Sequence, residues 1–107
     1  MNAKLKHRTD LTVQCFSYVA GKLAQSSDSR MLTSLYEHIL AEAEKHRSAL
    51  RLMQRDVADL IDQGLRTGTL GDVRAQRIRD TAAKTIALAQ DAITRIAFQY
   101  APQRMAA

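Results

Sequence analysis

Tryptophan is absent from this chain of 107 residues, and three tyrosines and two phenylalanines are its whole aromatic content. Runs of aromatic and β-branched residues, the composition that favours strands, are missing with them. Proline occurs once, at Pro102, so almost nothing in the sequence interrupts a helix. Together these absences predict an all-α fold. A single cysteine, Cys15, excludes an intrachain disulfide and also a thiolate-based zinc site, which needs several such ligands. One thiol suits a reducing compartment, so a cytoplasmic location is expected. No stretch approaches about 18 consecutive apolar residues, which leaves no candidate membrane span. Lys4, Lys6, His7 and Arg8 precede LTVQCFSYVAGKLA in loose resemblance to a secretory leader. Thr12, Gln14, Ser17 and Lys22 interrupt its apolar centre, so an amphipathic helix is the better reading.

What is present is charge. Sixteen lysines and arginines face eleven acidic residues, a net charge of +5. That balance biases the chain toward acidic partners, whether an acidic protein or nucleic acid. Composition is otherwise that of one ordinary globular domain.

The apolar pattern predicts three helices, at about 11–25, 28–66 and 70–100, behind a flexible basic tail at 1–9. Thr9 or Asp10 reads as the first cap. Cys15, Phe16, Val19 and Leu23 read as the main stripe of the first helix, which puts the Cys15 thiol on the apolar face. Leu11, Val13, Tyr18, Ala20 and Ala24 widen that stripe around the helix. A helix apolar over so much of its circumference is normally buried on two sides. The break falls at SSDS, with Ser27 or Asp28 as the next cap. The second helix carries a seam at Leu32, Tyr36, Ile39, Ala43, His46, Leu50, Met53, Val57 and Leu60. Its alternating steps of four and three form a coiled-coil-like repeat, with Leu35 and Ile61 beside it. In GLRTGTLGD, Gly68 reads as the left-handed closure of that helix. Thr69 and Asp72 read as the start signal of the next. Ile78, Ala82, Thr85, Ile86, Ala89, Ile93, Ile96 and Tyr100 form the stripe of the third helix, which Pro102 ends.

At about 1.5 Å per residue, the first helix spans only about 23 Å against about 55–60 Å for the second. The expected architecture is an antiparallel three-helix bundle with a short first helix and a long hairpin of helices two and three. The distal hairpin, from about Leu50 to Ala82, then lacks a covering helix. A homodimer, completing four helices, would cover it. Leu50, Met53, Val57, Leu60, Ile61 and Phe98 are the expected partner surface.

HILAEAEKH, residues 38–46, places His38, Glu42 and His46 at metal-like spacing. At about 100° per residue, His46 falls in the apolar seam and His38 at its boundary, so the three spread over about 80° of arc. The expected role of His46 is structural, satisfied by Glu42, Thr85 or Gln90 and fixing register. A ferritin-like di-iron set needs Glu-x-x-His pairs and facing carboxylates, which this sequence does not supply. Arg47, Arg51 and Arg55 form the densest basic stripe, with Arg74 and Arg77 beyond the turn, an expected surface for an acidic partner or nucleic acid. A helix-turn-helix at the turn is disfavoured because both flanking helices are too long. No Gly-rich phosphate loop or nucleophile constellation is present, so neither enzymatic activity nor a cofactor is expected. The expected function is that of a small helical protein–protein interaction module: an adaptor, regulator or chaperone-like partner. A dimeric nucleic-acid-binding accessory protein is the alternative, and a metal-binding module the third reading.

Overall fold

The computed structural model describes residues 2–26 and 32–100. Three helices account for nearly all of them: α1 (Asn2–Ser26), α2 (Leu32–Thr67) and α3 (Asp72–Gln99). They pack as a three-helix bundle about 59 Å long. The expected caps at Ser27 or Asp28 and the stop at Pro102 lie outside the described residues.

α1 differs most from the sequence expectation. It has 25 residues and starts at Asn2, where a flexible tail is expected up to residue 9. Leu5, Thr9, Phe16 and Ala20 are all buried, and the steps of four and seven between them put them on one helical stripe. Thr9 is therefore a core position and not a cap. Its hydroxyl donates to the Lys6 carbonyl at 2.8 Å, which satisfies it within its own helix and leaves the methyl for packing. The true stripe includes Phe16 and excludes Cys15, one residue and about 100° away. The Cys15 side chain is accordingly exposed, a correction to its expected burial.

The longer α1 changes what it covers. The Phe16 and His46 rings lie 5.6 Å apart, and α1 from Lys6 to Gln14 borders α3 from Thr85 to Ala92. A Cβ on Gly21 would lie 3.8 Å from the Tyr100 hydroxyl. α1 is thus antiparallel to α2 and parallel to α3. Extended at equal rise, Asn2 draws level with Leu60 on α2 and with Thr81 on α3. The bare hairpin shrinks to little more than its tip. Leu50, Met53, Val57 and Ile61 are buried within the single chain, beside Ile39, Ala43, Ile86, Ala89 and Ile93.

The α2–α3 turn follows the sequence reading in its main feature. Gly68 has φ 75°, a conformation that costs a residue with a Cβ about 1 kcal/mol or more. The Gly68 amide donates to the Leu65 carbonyl at 3.4 Å and the Leu70 amide to Gly64 at 3.1 Å, which closes the carbonyl end of α2. The start of α3 differs. Gly71, not Thr69, is its N-cap, and no side chain caps it. Thr69 instead shares a 3.0 Å hydrogen bond with the Thr67 hydroxyl. Asp72 does fall in the first turn, where a carboxylate faces free amides.

Candidate functional site

Three helices in a ring present three surfaces, and the residues of interest distribute unevenly among them. The side of the hairpin that seats α1 is fixed by His46 on α2 and by Thr85 and Ala89 on α3. Leu60 lies two heptads beyond His46, and Ile78 one heptad before Thr85, so both continue that side past the start of α1. There they line a shallow groove of about 300 Å³ with Ile61, Gly64, Leu70 and Arg74. Leu60 is 50% exposed in it.

Among the described residues, the opposite side of the hairpin has no third helix. Arg47 of α2 donates through Nη2 to the Thr94 hydroxyl of α3, so these two residues mark that side. Thr94 in turn donates to the Gln90 carbonyl at 3.1 Å. Leu40 lies one heptad before Arg47, and Phe98 one turn beyond Thr94, so both belong to this side. They are 41% and 67% exposed. Toward the tip, the same side leads to a cavity of about 270 Å³ lined by Gln54, Val57, Ala58, Ile61, Ala82 and Ala83, with Arg79 and Asp80 at its rim. Ala87, one turn from Ala83, is exposed between the two ends. Leu40 and Phe98 thus lie at one end of this side and the small-residue cavity about 25 Å away toward the tip, with the Arg47–Thr94 hydrogen bond between them.

Of the expected partner surface, then, only Leu60 and Phe98 reach solvent, and they lie on opposite sides of the hairpin. The expected basic stripe is also divided. Arg47 is drawn across to α3. Arg51 donates to Glu44 at 2.6 Å and to Ser48 at 2.8 Å. The guanidinium of Arg51, through that hydrogen bond and its charge, with Arg47 adding a smaller charge effect, holds the Glu44 carboxyl below its usual range. Arg55, Arg74 and Arg77 are exposed and hold no side-chain partner among the described residues. Arg74 lines the groove on the α1 side, away from Arg47, so the five arginines do not form one surface.

The HILAEAEKH side chains diverge. His38 is exposed and donates through Nδ1 to the Ser34 carbonyl at 2.7 Å. His46 points into the bundle, with its Nε2 3.7 Å from the Glu42 carboxylate. That separation is too long for a hydrogen bond, and the buried Nε2 has no hydrogen-bond partner among the described residues. Thr85, an expected partner, donates instead to the Thr81 carbonyl at 2.9 Å. Among the described residues, no three His, Cys, Asp or Glu side chains converge as a metal would require, and no helix is long and apolar enough to cross a membrane.

The sequence reading does not single out Leu40, and it places Leu11 and Tyr18 on a wide stripe expected to be buried on two sides, whereas both are exposed. Leu40 carries no pattern signal, because it lies off the seam and only the position of α1 shows which flank stays open. Comparison with protein-family models, with curated proteins and with solved structures gives no match.

Proposed function

We propose that this chain is a helical protein–protein interaction module that self-associates through the free side of its α2–α3 hairpin. One observation carries the reading: Leu40 and Phe98 stand exposed on the side without α1, the side that also holds the cavity of Ala58, Ala82 and Ala83 toward the tip. Small residues let a neighbouring helix approach closely, and a large exposed aromatic on the same side is a natural anchor. Two copies stacked on this side bring four long helices together and leave both α1 helices outside. Such a dimer relies on none of the buried positions Leu50, Met53, Val57 and Ile61, and Arg47 stays engaged with Thr94. The tip, with Leu60 on its other side, lies outside this contact.

Sedimentation equilibrium tests the proposal. The expected mass is that of a dimer at micromolar concentration, falling to a monomer in Phe98→Asp and in Leu40→Asp while helicity is retained. A monomeric wild-type chain, or a dimer indifferent to both substitutions, overturns it. Leu60→Asp is the control and should leave the dimer intact.

A further inference from the structure

α1 is apolar on two sides, but the bundle covers only one. Leu5, Thr9, Phe16 and Ala20 face inward. A second series, Lys4, Arg8, Leu11, Cys15, Tyr18 and Lys22, advances in steps of four and three, the spacing of a helix-packing seam. At about 100° per residue its six members span about 80° of arc, centred about 125° from the buried stripe. All six are exposed. Leu11 is 49% exposed and Tyr18 67%. From this geometry we propose that the outer face of α1 is a docking site for an acidic amphipathic helix of another protein.

The charge pattern selects that occupant. The centre of the seam is Leu11, Cys15 and Tyr18, and its ends are Lys4 and Arg8 on one side and Lys22 on the other. Asp10 is the only acidic residue in α1. It lies off this face and pairs with Lys6 at 3.1 Å. Lys4 and Arg8 have no side-chain ion pair among the described residues. Lys22 sits over the Tyr18 ring at 5.6 Å, which keeps its charge at the border of the apolar patch. A second copy of α1 does not fit. Aligned parallel, each cation meets its own counterpart, and aligned antiparallel, Lys22 meets Lys4 and Arg8. Like charges at those seam ends oppose pairing. A helix with leucines at the centre of its seam and glutamates at the seam's two ends satisfies both the centre and the ends, as helix-in-groove partners do. The face is distinct from the hairpin side that carries Leu40 and Phe98, so the site stands or falls independently of self-association.

Cys15 supplies a built-in reporter. The probe is a synthetic helical peptide of about three heptads with Leu at the central seam positions and Glu at the seam's two ends. Its counterpart carries Lys in place of Glu. Fluorescence anisotropy should show binding of the acidic peptide, weakened at least about tenfold by Tyr18→Asp or Leu11→Asp and also by added salt. Both positions are exposed, and circular dichroism checks that each variant folds. Saturating acidic peptide should slow alkylation of Cys15 by about tenfold, while Phe98→Asp should change neither readout. The proposal is overturned by equal binding of the Lys peptide, by absence of binding, or by binding that leaves the Cys15 rate unchanged. Capture by anionic vesicles through Leu11 and Tyr18 without peptide binding would equally overturn it, in favour of a lipid surface.

Discussion

The two ends of this bundle are held together in different ways. Where α1 is present, three helices enclose large side chains, and Phe16, Ile39, Leu50, Ile86 and Ile93 are fully buried. Beyond the start of α1 only two helices remain, and Ile61 and Ala75 are the fully buried residues there. Leu60 and Val73 reach solvent. The tip closes instead by close approach: a Cβ on Gly64 would come within 2.9 Å of the Leu70 Cβ. The covered end is stabilised by burial of volume, which scales with apolar area removed from water. The tip is stabilised by a backbone turn that brings α3 against α2 with little side-chain volume between them. Truncation should therefore hurt one end, and addition should hurt the other.

The largest effect should come from Phe16→Ala. Removing a buried aromatic costs about 3–5 kcal/mol, whereas Leu60→Ala at the half-exposed tip should cost less than about 1 kcal/mol. Urea unfolding of the pair measures the contrast, and equal losses would break it. Gly64→Ala comes next. Alanine favours a helix interior by about 1 kcal/mol, but the added methyl collides with Leu70, and overpacking costs about 1–3 kcal/mol. A net loss of stability is expected, and a net gain would show that the tip yields easily.

His46→Leu should have the opposite sign. The imidazole packs beside Phe16, its Nε2 without a hydrogen bond among the described residues and 3.7 Å from the Glu42 carboxylate, and a buried polar group without a hydrogen bond costs about 1–3 kcal/mol. Leucine keeps comparable volume, so the denaturation midpoint should rise. A fall would assign His46 a register-setting role that outweighs its unsatisfied nitrogen.

The smallest effect concerns Glu44. Its carboxyl is held below the ordinary value by Arg51. Any stability it contributes is present above the ordinary carboxylate value and is lost as pH falls through the depressed one. The pair is exposed, so the loss should be slight. Arg51→Ala should return the Glu44 titration, followed by NMR, toward the ordinary range.

The all-α class and the Gly68 turn were legible in the sequence for a common reason. Both rest on residue types with strong local preferences: the scarcity of proline and of strand-favouring runs for the helices, and the left-handed conformation that glycine adopts at Gly68. The start of α1 was not legible. Threonine and aspartate together look like a cap, and nothing in the letters shows that the Thr9 hydroxyl bonds within its own helix. Misplacing that start made α1 too short, and the shortened α1 made Leu50, Met53 and Val57 look uncovered. The exposure of Leu40, and of Leu11 and Tyr18 on the wide stripe of α1, was not legible for a different reason. Periodicity marks which side of a helix is apolar, but not which of two apolar sides finds a neighbour. Alanines add to the ambiguity: Ala43, Ala82 and Ala97 are buried, while Ala58, Ala83 and Ala87 are exposed.

The bundle measures 59 × 24 × 18 Å. Its radius of gyration is 17.6 Å, where a compact chain of this length has about 13 Å. A rod tumbles and diffuses more slowly than a sphere of equal mass. Its rotational diffusion is anisotropic, so amide relaxation rates should depend on the angle each N–H makes with the long axis. Helical amides lie nearly parallel to that axis, and all three helices should therefore share a nearly uniform transverse relaxation rate. A segment that left the bundle axis would stand out against that uniform background.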